Sequence, residues 1–478
     1  MNAEKEHELF ERCGVTQAVF RMAFPTVVGQ IILVIYNMAD TFFVGLTGND
    51  AMLAAVTVCM PAFMLLSAIS NLFGVGGASV IARALGTYDF RRAKCASAFA
   101  FWGCLAVTAL YSCVSFLGKD LFIDLLGGTN PEIHKNAAEY LFVTVILGGA
   151  ITSVGILFSH LIRSEGRSLH ASIGIALGGV MNIVMDPLFM FVILPSGKEA
   201  LGAAIATTLA NLITLLYYII VLLFIRKQSV LRFKFKPRMF QQRVPAAILA
   251  AGLPACIMTL CENVSYAVLD KLMSFSGLEM QAGIGVAKKV NMLAHCIVRG
   301  IAQGSLPLIA YNYSAHNIER MKASVRISHR ISITMAALCM IINLTLAKPL
   351  ISLFIHYESA SYMFGTAFLR ILCLGGPFSA SAYTIISFFQ ATGDGGKSFL
   401  LAILRKGIVD IPLMLLLGAV FPIYGIVLAT PIADIVCCVT AICMFSNYKK
   451  RLVGAPLIRR NNDVGISTST VFGSVSNT

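Results

Sequence analysis

VTQAVFRMAFPTVVGQIILVIYNMADTFFVG, residues 15–45, carries two charged side chains, Arg21 and Asp40, in an otherwise apolar or uncharged run. A helix rises ~1.5 Å per residue, so ~20 apolar residues cross a hydrocarbon layer ~30 Å thick. This stretch exceeds that length. It lacks the ten-residue alternation of a barrel strand, and in lipid a continuous apolar run satisfies its backbone only as a helix. The same reading holds along the chain. Further apolar segments lie near 51–82, 95–117, 137–162, 170–195, 199–225, 244–272, 280–311, 328–347, 362–391, 398–420 and 424–447. The expected fold class is therefore an all-α integral membrane protein with twelve transmembrane helices.

Composition agrees. The chain is 57% hydrophobic and 13% charged, against ~25% charged residues in ordinary soluble domains. One aqueous core cannot hide so much apolar surface. The 13 cysteines lie mostly inside apolar runs and form no C-x-x-C pair, so they read as small buried hydrophobes. The net charge of +14 would suit nucleic acid, but its distribution points to membrane topology and no nucleic-acid partner is expected.

Lys and Arg cluster in alternate breaks: Arg83 to Lys94, Arg163 and Arg167, Arg226 to Arg243, Arg320 to Arg330, Lys397 with Arg405 and Lys406, and Lys449 to Arg460. The other breaks hold only Lys119, Lys135, Lys198 and Lys348. This asymmetry places both termini in the cytoplasm. The longest basic break divides the chain into an amino-terminal lobe over 1–225, a connector over 226–243, a carboxy-terminal lobe over 244–447 and a loose polar tail over 448–478. The lobes repeat one another. Pro25 and Pro254 are 229 residues apart, Gly76, Arg92 and Lys94 match Gly304, Arg320 and Lys322 at 228, and Gly166-Arg167-Ser168 matches Gly396-Lys397-Ser398 at 230. Ala206-Thr207 matches Ala429-Thr430 at 223. Ordered matches at a nearly constant offset indicate duplication. Six spans per repeat give both lobes the same orientation, related by an axis along the membrane normal.

Charge inside the bilayer marks function, because a central Asp or Lys opposes insertion by roughly 2.5–3.5 kcal/mol and must face protein or water. Asp40 stands in the first span. Asp186 stands in the fifth, four residues after Asn182 and hence on one helix face, and before Pro187, which removes a backbone donor. Two carboxylates, an amide and a released carbonyl suit H⁺ or Na⁺ at Asp40, Asn182 and Asp186. A shielded carboxylate also holds its proton to higher pH. Pro25 reads as a kink or hinge in the first span. In the second half Glu262 is mid-span, with Arg299 as a candidate ion-pair partner; Asp434 lies in the twelfth span, and Arg370 lies near another. Asp410 does not align with Asp186 at the repeat offset and carries less weight. Phe, Met and Tyr in abundance would line an adaptable cavity, and Gly174-x3-Gly178 suggests a close helix contact. The sequence contains no G-x-S-x-G, H-E-x-x-H or P-loop motif. No enzyme activity is expected, and an ion gradient is the expected energy source.

Tyr36-Asn37-x-x-Asp40-Thr41, Gly74 through Ala93, Arg163 through Phe191 with its R-x-E-G and N-I-x-x-D-P runs, and Gln303 through Lys322 together resemble the multidrug and toxic compound extrusion (MATE) transporters, in their DinF-like and MepA-like branch. The resemblance implies two pseudo-symmetric six-helix lobes in a cell membrane, exporting organic cations or other amphipathic compounds by antiport with H⁺ or Na⁺. It implies cation coupling at Asp40, Asn182, Asp186 and Thr207, a lining from Tyr36 and Asn37, and a bending role for Pro25. Glu262 departs from that pattern and would add a carboxylate to the second lobe's cavity. No cofactor is expected beyond the coupling ion. The expected partners are small amphipathic substrates and membrane lipids, and the expected state is a monomer. A flippase for lipid-linked saccharides is the alternative. It should carry more cationic residues within its spans, to hold phosphate.

Overall fold

The computed structural model describes residues 8–47, 50–125, 130–241, 243–357 and 359–454. The polar tail beyond residue 454 lies outside the described residues. Residues 448–454, expected in that tail, instead continue the last helix.

Among the described residues, nine helices are long and apolar enough to cross a membrane, and two further spans are bent pairs. The twelfth is a helix with a π turn inside it. In order they are α1 (Val15–Leu46), α2 (Asp50–Gly86), α3 (Phe90–Leu117), α4 (Pro131–Ser164), α5 (Ser168–Ile193), α6 (Glu199–Ile225), α7 (Val244–Ser276), α8 (Leu278–Ser314), α9 (Ile318–Thr345), α10 (Ala360–Thr392), α11 (Gly395–Val420) and α12 (Tyr424–Gly454). They form two lobes of six. α1 passes through Pro25 as one helix, with Thr26 Oγ1 donating to Met22 O at 2.8 Å. In this conformation the proline does not divide the helix.

Local geometry repeats between the lobes more closely than the sequence does. Tyr88 and His316 both take left-handed φ of 57° at the end of α2 and of α8. Each is followed by an N-cap, Asp89 or Asn317, that accepts from the backbone N–H of Arg92 or Arg320. α4 bends by 50° at Gly148, and α10 by 44° near Gly375. The turns after these two helices use Gly166 (φ 85°) and Gly393 (φ 82°). This corrects one sequence match. Gly166 corresponds to Gly393, whose positive φ disfavours a side chain, while Gly396 lies within the first turn of α11.

The lobes meet where small residues let backbones touch. A Cβ on Gly252 of α7 would lie 1.7 Å from Leu72 O of α2, and one on Gly76 of α2 would lie 2.2 Å from Ile248 O of α7. On the other side of the seam, Gly300 and Gly304 of α8 pack on Val27 and Ala23 of α1. The repeated pair Gly76 and Gly304 thus does the same work in both lobes. Gly174 and Gly178 likewise press on Tyr218 and Thr214 of α6. These contacts between the lobes lie in the halves of α1, α2, α7 and α8 nearest the face that the Lys and Arg distribution marks, here called the basic face.

The residues between α6 and α7 are not a loose tether. Trp102 Nε1 donates to Phe233 O at 2.9 Å, and Ser97 exchanges two hydrogen bonds with Arg232. Glu165, in the turn after α4, accepts from Ser229 Oγ at 2.8 Å and Val230 N at 2.7 Å. Burial pushes the Glu165 carboxyl above its ordinary range, and those hydrogen bonds oppose the shift.

Candidate functional site

In the first lobe α1 and α5 run parallel. Gly29 meets Ser172, and further along Gly179 meets Ile32 and Tyr36. Continuing that register places Asp40 level with Asn182 to Asp186. The side chains complete the site: Asn182 Nδ2 donates to Asp186 Oδ1 at 3.1 Å and to Thr207 Oγ1 at 3.3 Å. Asp40 and Asp186 lie within electrostatic reach of one another, and Tyr36 feels both. Asp40 is 6% exposed and Asp186 0%. Asp40 Oδ1, Asn182 Oδ1 and Asp186 Oδ2 are buried and find no donor in the protein. Buried acceptors normally have partners. Three such buried oxygens have the chemistry to ligate a small cation or to take up protons.

Sequence reasoning missed two neighbours. Tyr140 of α4, 4% exposed, lies within electrostatic reach of both carboxylates. Nothing in its sequence surroundings separates it from a packing tyrosine. Lys289 of α8 is the other. α8 runs antiparallel to α1, with Gly304 on Ala23 and Gly300 on Val27; extending that register brings Lys289 level with Asp40, and the two charges act on each other across the lobes. Asn37 is turned along its own helix, with Nδ2 donating to Leu33 O at 2.7 Å.

The second lobe is built differently. Glu262 does not present an unattached carboxylate. Arg299 Nη2 donates to its Oε2 at 2.5 Å, and the Tyr383 hydroxyl donates to its Oε1 at 3.5 Å. Arg405 and Lys406, expected in a loop, are corrected by the structure: both are fully buried in the π turn Leu404–Ile408 of α11. Arg405 Nε donates to Asp434 Oδ1 at 2.7 Å, its Nη2 donates to Ser379 Oγ at 2.8 Å, and its guanidinium lies 4.3 Å over the Tyr383 ring. Lys406 Nζ donates to Asp410 Oδ2 at 2.8 Å, Ser265 Oγ to the same oxygen at 2.6 Å, and Thr430 Oγ1 to Oδ1 at 3.1 Å. A buried charge is tolerable in such surroundings only when paired and hydrogen-bonded.

The threonines align the two lobes. Thr207 accepts from Asn182, and its repeat mate Thr430 donates to Asp410. Asp410 therefore occupies the place of Asn182 rather than that of Asp186. One turn earlier Lys406 stands where the first lobe has Gly178, and one turn later Met414 stands where it has Asp186. The second lobe carries a tethered ammonium inside its site. The first lobe leaves its acceptors open.

The comparisons with known proteins concern the whole chain. The MatE family model matches twice, over residues 25–188 and 254–416, one match in each lobe. The chain is 26% identical over 443 residues to the multidrug export protein MepA of Staphylococcus saprophyticus subsp. saprophyticus, covering 93% of this chain and 96% of that one. The identity and both coverages are the same for MepA of Staphylococcus aureus strain MRSA252. Among solved structures, an outward-facing multidrug resistance MATE family transporter of the MOP superfamily superposes with a TM-score of 0.86 at 23% identity, covering 94% of this chain and 98% of that one. A MATE crystal structure in the straight conformation gives 0.86 at 23% identity over 94% of this chain and 99% of that one. One in the bent conformation gives 0.81 at 22% identity, over 95% of this chain and all of that one. With the two matches spanning both lobes of this twelve-helix membrane fold, the chain belongs to the MatE family, the multidrug and toxic compound extrusion transporters.

Proposed function

We propose that this protein exports amphipathic organic cations from the cell by antiport with H⁺ or Na⁺, and that Asp40, Asn182, Asp186 and Thr207 bind the coupling ion. One observation carries the reading. The buried carboxylates of the second lobe are each tied to Arg or Lys within their own lobe, whereas Asp40 and Asp186 have no such basic partner in theirs. Among the described residues, an entering cation meets buried carboxylates without a basic partner from their own lobe at Asp40 and Asp186. Neutralising the two carboxylates there removes the attraction for a bound organic cation, which leaves on the same side. The lobes then rock and the ion is released to the cytoplasm, with both termini on that side. Pro25 would act as a hinge by letting the outer part of α1 move with Asp40. One chain contains both lobes and acts as a monomer. The MepA relatives, named as multidrug export proteins, support the substrate class.

The flippase alternative needs cationic groups available to phosphate. Arg299, Arg405 and Lys406 are buried or half-buried, but each is held by a carboxylate. The paired state of these residues favours the antiporter.

The test uses the purified protein in liposomes loaded with a fluorescent organic cation. An imposed inward pH gradient or Na⁺ gradient is expected to drive dye movement, and the gradient that works identifies the ion. Absence of movement under both gradients would reject antiport.

The conformation itself supports alternating access. On the basic face the segment before α1 clasps both lobes. Glu11 Oε1 accepts from Tyr88 of the first lobe at 2.6 Å and from Tyr311 of the second at 2.7 Å. Phe10 stacks on Tyr311 with ring centroids 4.8 Å apart, and its carbonyl accepts from Arg320 Nε at 2.6 Å. Glu11→Gln is expected to loosen this clasp, because hydrogen bonds to a charged acceptor contribute about 1.5–3 kcal/mol each. Amide hydrogen exchange over residues 311–320 should rise by roughly tenfold, the equivalent of 1.4 kcal/mol. Unchanged exchange there would mean that the clasp does not hold the lobes together.

A further inference from the structure

The connector between α6 and α7, residues 226–243, holds seven basic residues and no Asp or Glu. Its place is set by α3. The exposed face of α3 runs back through Leu117, Cys113, Leu110 and Ala106, and helical steps of three or four residues continue it to Trp102 and Phe99. The connector lies across this inner end of the lipid-facing stripe. The Phe235 ring stands 5.6 Å from Trp102, and the Phe240 ring 5.8 Å from Phe99. The turn Pro237–Phe240 buries Met239 and brings Phe240 back to 6.4 Å from Phe235. Trp102 lies about 23 Å along α3 from Leu117 at the helical rise. A hydrocarbon layer ~30 Å deep that begins at Leu117 reaches past that level. The connector therefore sits at the boundary of hydrocarbon and headgroups on the basic face. Its side chains divide accordingly. Arg232 turns back on the chain, donating to the carbonyls of Arg226, Ser229 and Leu231. Lys234, Lys236 and Arg238 are exposed and make no ion pair among the described residues. Interleaved with them, Phe235 is 60% and Phe240 57% exposed. Exposed rings held in place by rings beneath them, with unpaired cations alongside, suit the depth where acyl chains give way to phosphate.

We propose that Lys234 to Phe240 is a dock for an anionic phospholipid of the leaflet on the basic face. Lys234, Lys236 and Arg238 receive the lipid phosphate, and Phe235 and Phe240 receive the upper part of its acyl chains. A zwitterionic headgroup carries its own ammonium beside the phosphate and offers these cations no net charge. Phosphatidylglycerol is therefore favoured over phosphatidylcholine. The dock concerns a lipid partner and stands apart from the export reading.

Trp102 is the single tryptophan of the chain and lies beneath the dock, so its fluorescence supplies the readout. The full chain is reconstituted in mixed bilayers in which either phosphatidylglycerol or phosphatidylcholine carries bromine on its acyl chains. Quenching of Trp102 then measures which lipid stands beside it. The parent is expected to prefer phosphatidylglycerol by about tenfold. Combining Lys234→Gln, Lys236→Gln and Arg238→Gln is expected to abolish the preference. Combining Arg91→Gln, Lys94→Gln and Arg326→Gln removes three exposed charges elsewhere on the basic face and is expected to keep it. No preference in the parent, or a preference that survives the first triple variant, overturns the dock. Equal loss in both triple variants also overturns it, because the lipid then answers to surface charge alone. If either triple variant fails to fold, Lys236→Gln and Arg91→Gln decide. The first should lower the preference by about twofold, one residue's share of the whole, and the second should leave it unchanged; any other result overturns the dock. Neither gradient nor transport substrate enters the measurement, so its outcome is independent of whether antiport holds.

Discussion

Asp40→Asn and Asp186→Asn are each expected to reduce gradient-driven efflux by at least about tenfold while leaving the protein at least as stable as the parent. The asparagine is nearly isosteric and keeps hydrogen-bonding capacity, so the helices need not move. What it cannot do is carry the negative charge that draws in a cation, or bind and release a proton. One charge moving through 100 mV supplies about 2.3 kcal/mol, and a transporter that cannot load the ion cannot use that energy. Stability should hold or rise, because removing a buried charge that lacks a close cationic partner relieves a desolvation cost. Dye efflux and thermal unfolding in detergent are measured on the same preparations. Parental efflux from both variants would remove these residues from the coupling site. Low efflux accompanied by a large fall in melting temperature would assign them to the fold.

The second large effect lies in the other lobe and has the opposite signature. Arg405→Leu leaves Asp434, 1% exposed, as an uncompensated buried charge and removes the donor to Ser379. Breaking a buried ion pair from one side typically costs about 3–5 kcal/mol. The melting temperature should fall by several degrees, more than for any of the substitutions above. Adding Asp434→Leu to Arg405→Leu should recover most of that loss, since replacing both partners with apolar groups removes the charge along with its counterion. If Arg405→Leu melts with the parent, the pair does not support the fold. If the double variant is no more stable than the single one, the loss comes from the Tyr383 and Ser379 contacts rather than from the stranded carboxylate.

The first-lobe site was readable because its signals are local. A carboxylate within an apolar run stands out, and Asn182 and Asp186 share a face through their four-residue spacing alone. The register between α1 and α5, which brings Asp40 beside them, depends on Gly29 and Gly179 pressing into a neighbouring helix. Tyr140 and Lys289 were invisible for the same reason, as each reaches the site from a helix distant in sequence. Arg405 and Lys406 were misplaced because a basic pair near the start of a span looks like a topology marker. Their partners decide otherwise. Asp434 lies 29 residues away, and a π turn changes the angular spacing at the point where the two side chains turn inward. Asp410 carried less weight because it was compared with Asp186, and only its bond to Thr430 identifies Asn182 as its counterpart.

By itself the sequence determined that this chain lives in a bilayer, crosses it twelve times and folds as a duplicated pair of helical lobes. Those properties follow from transfer free energy summed over segment length, and from internal similarity, neither of which needs a contact map. Only the tertiary structure decided which charges are spent on each other and which are left open. A carboxylate's character depends on whether a guanidinium or ammonium lies within about 3 Å of it or not, and where Arg299 and Arg405 reach Glu262 and Asp434 from other helices, a residue's place along the chain does not encode that distance.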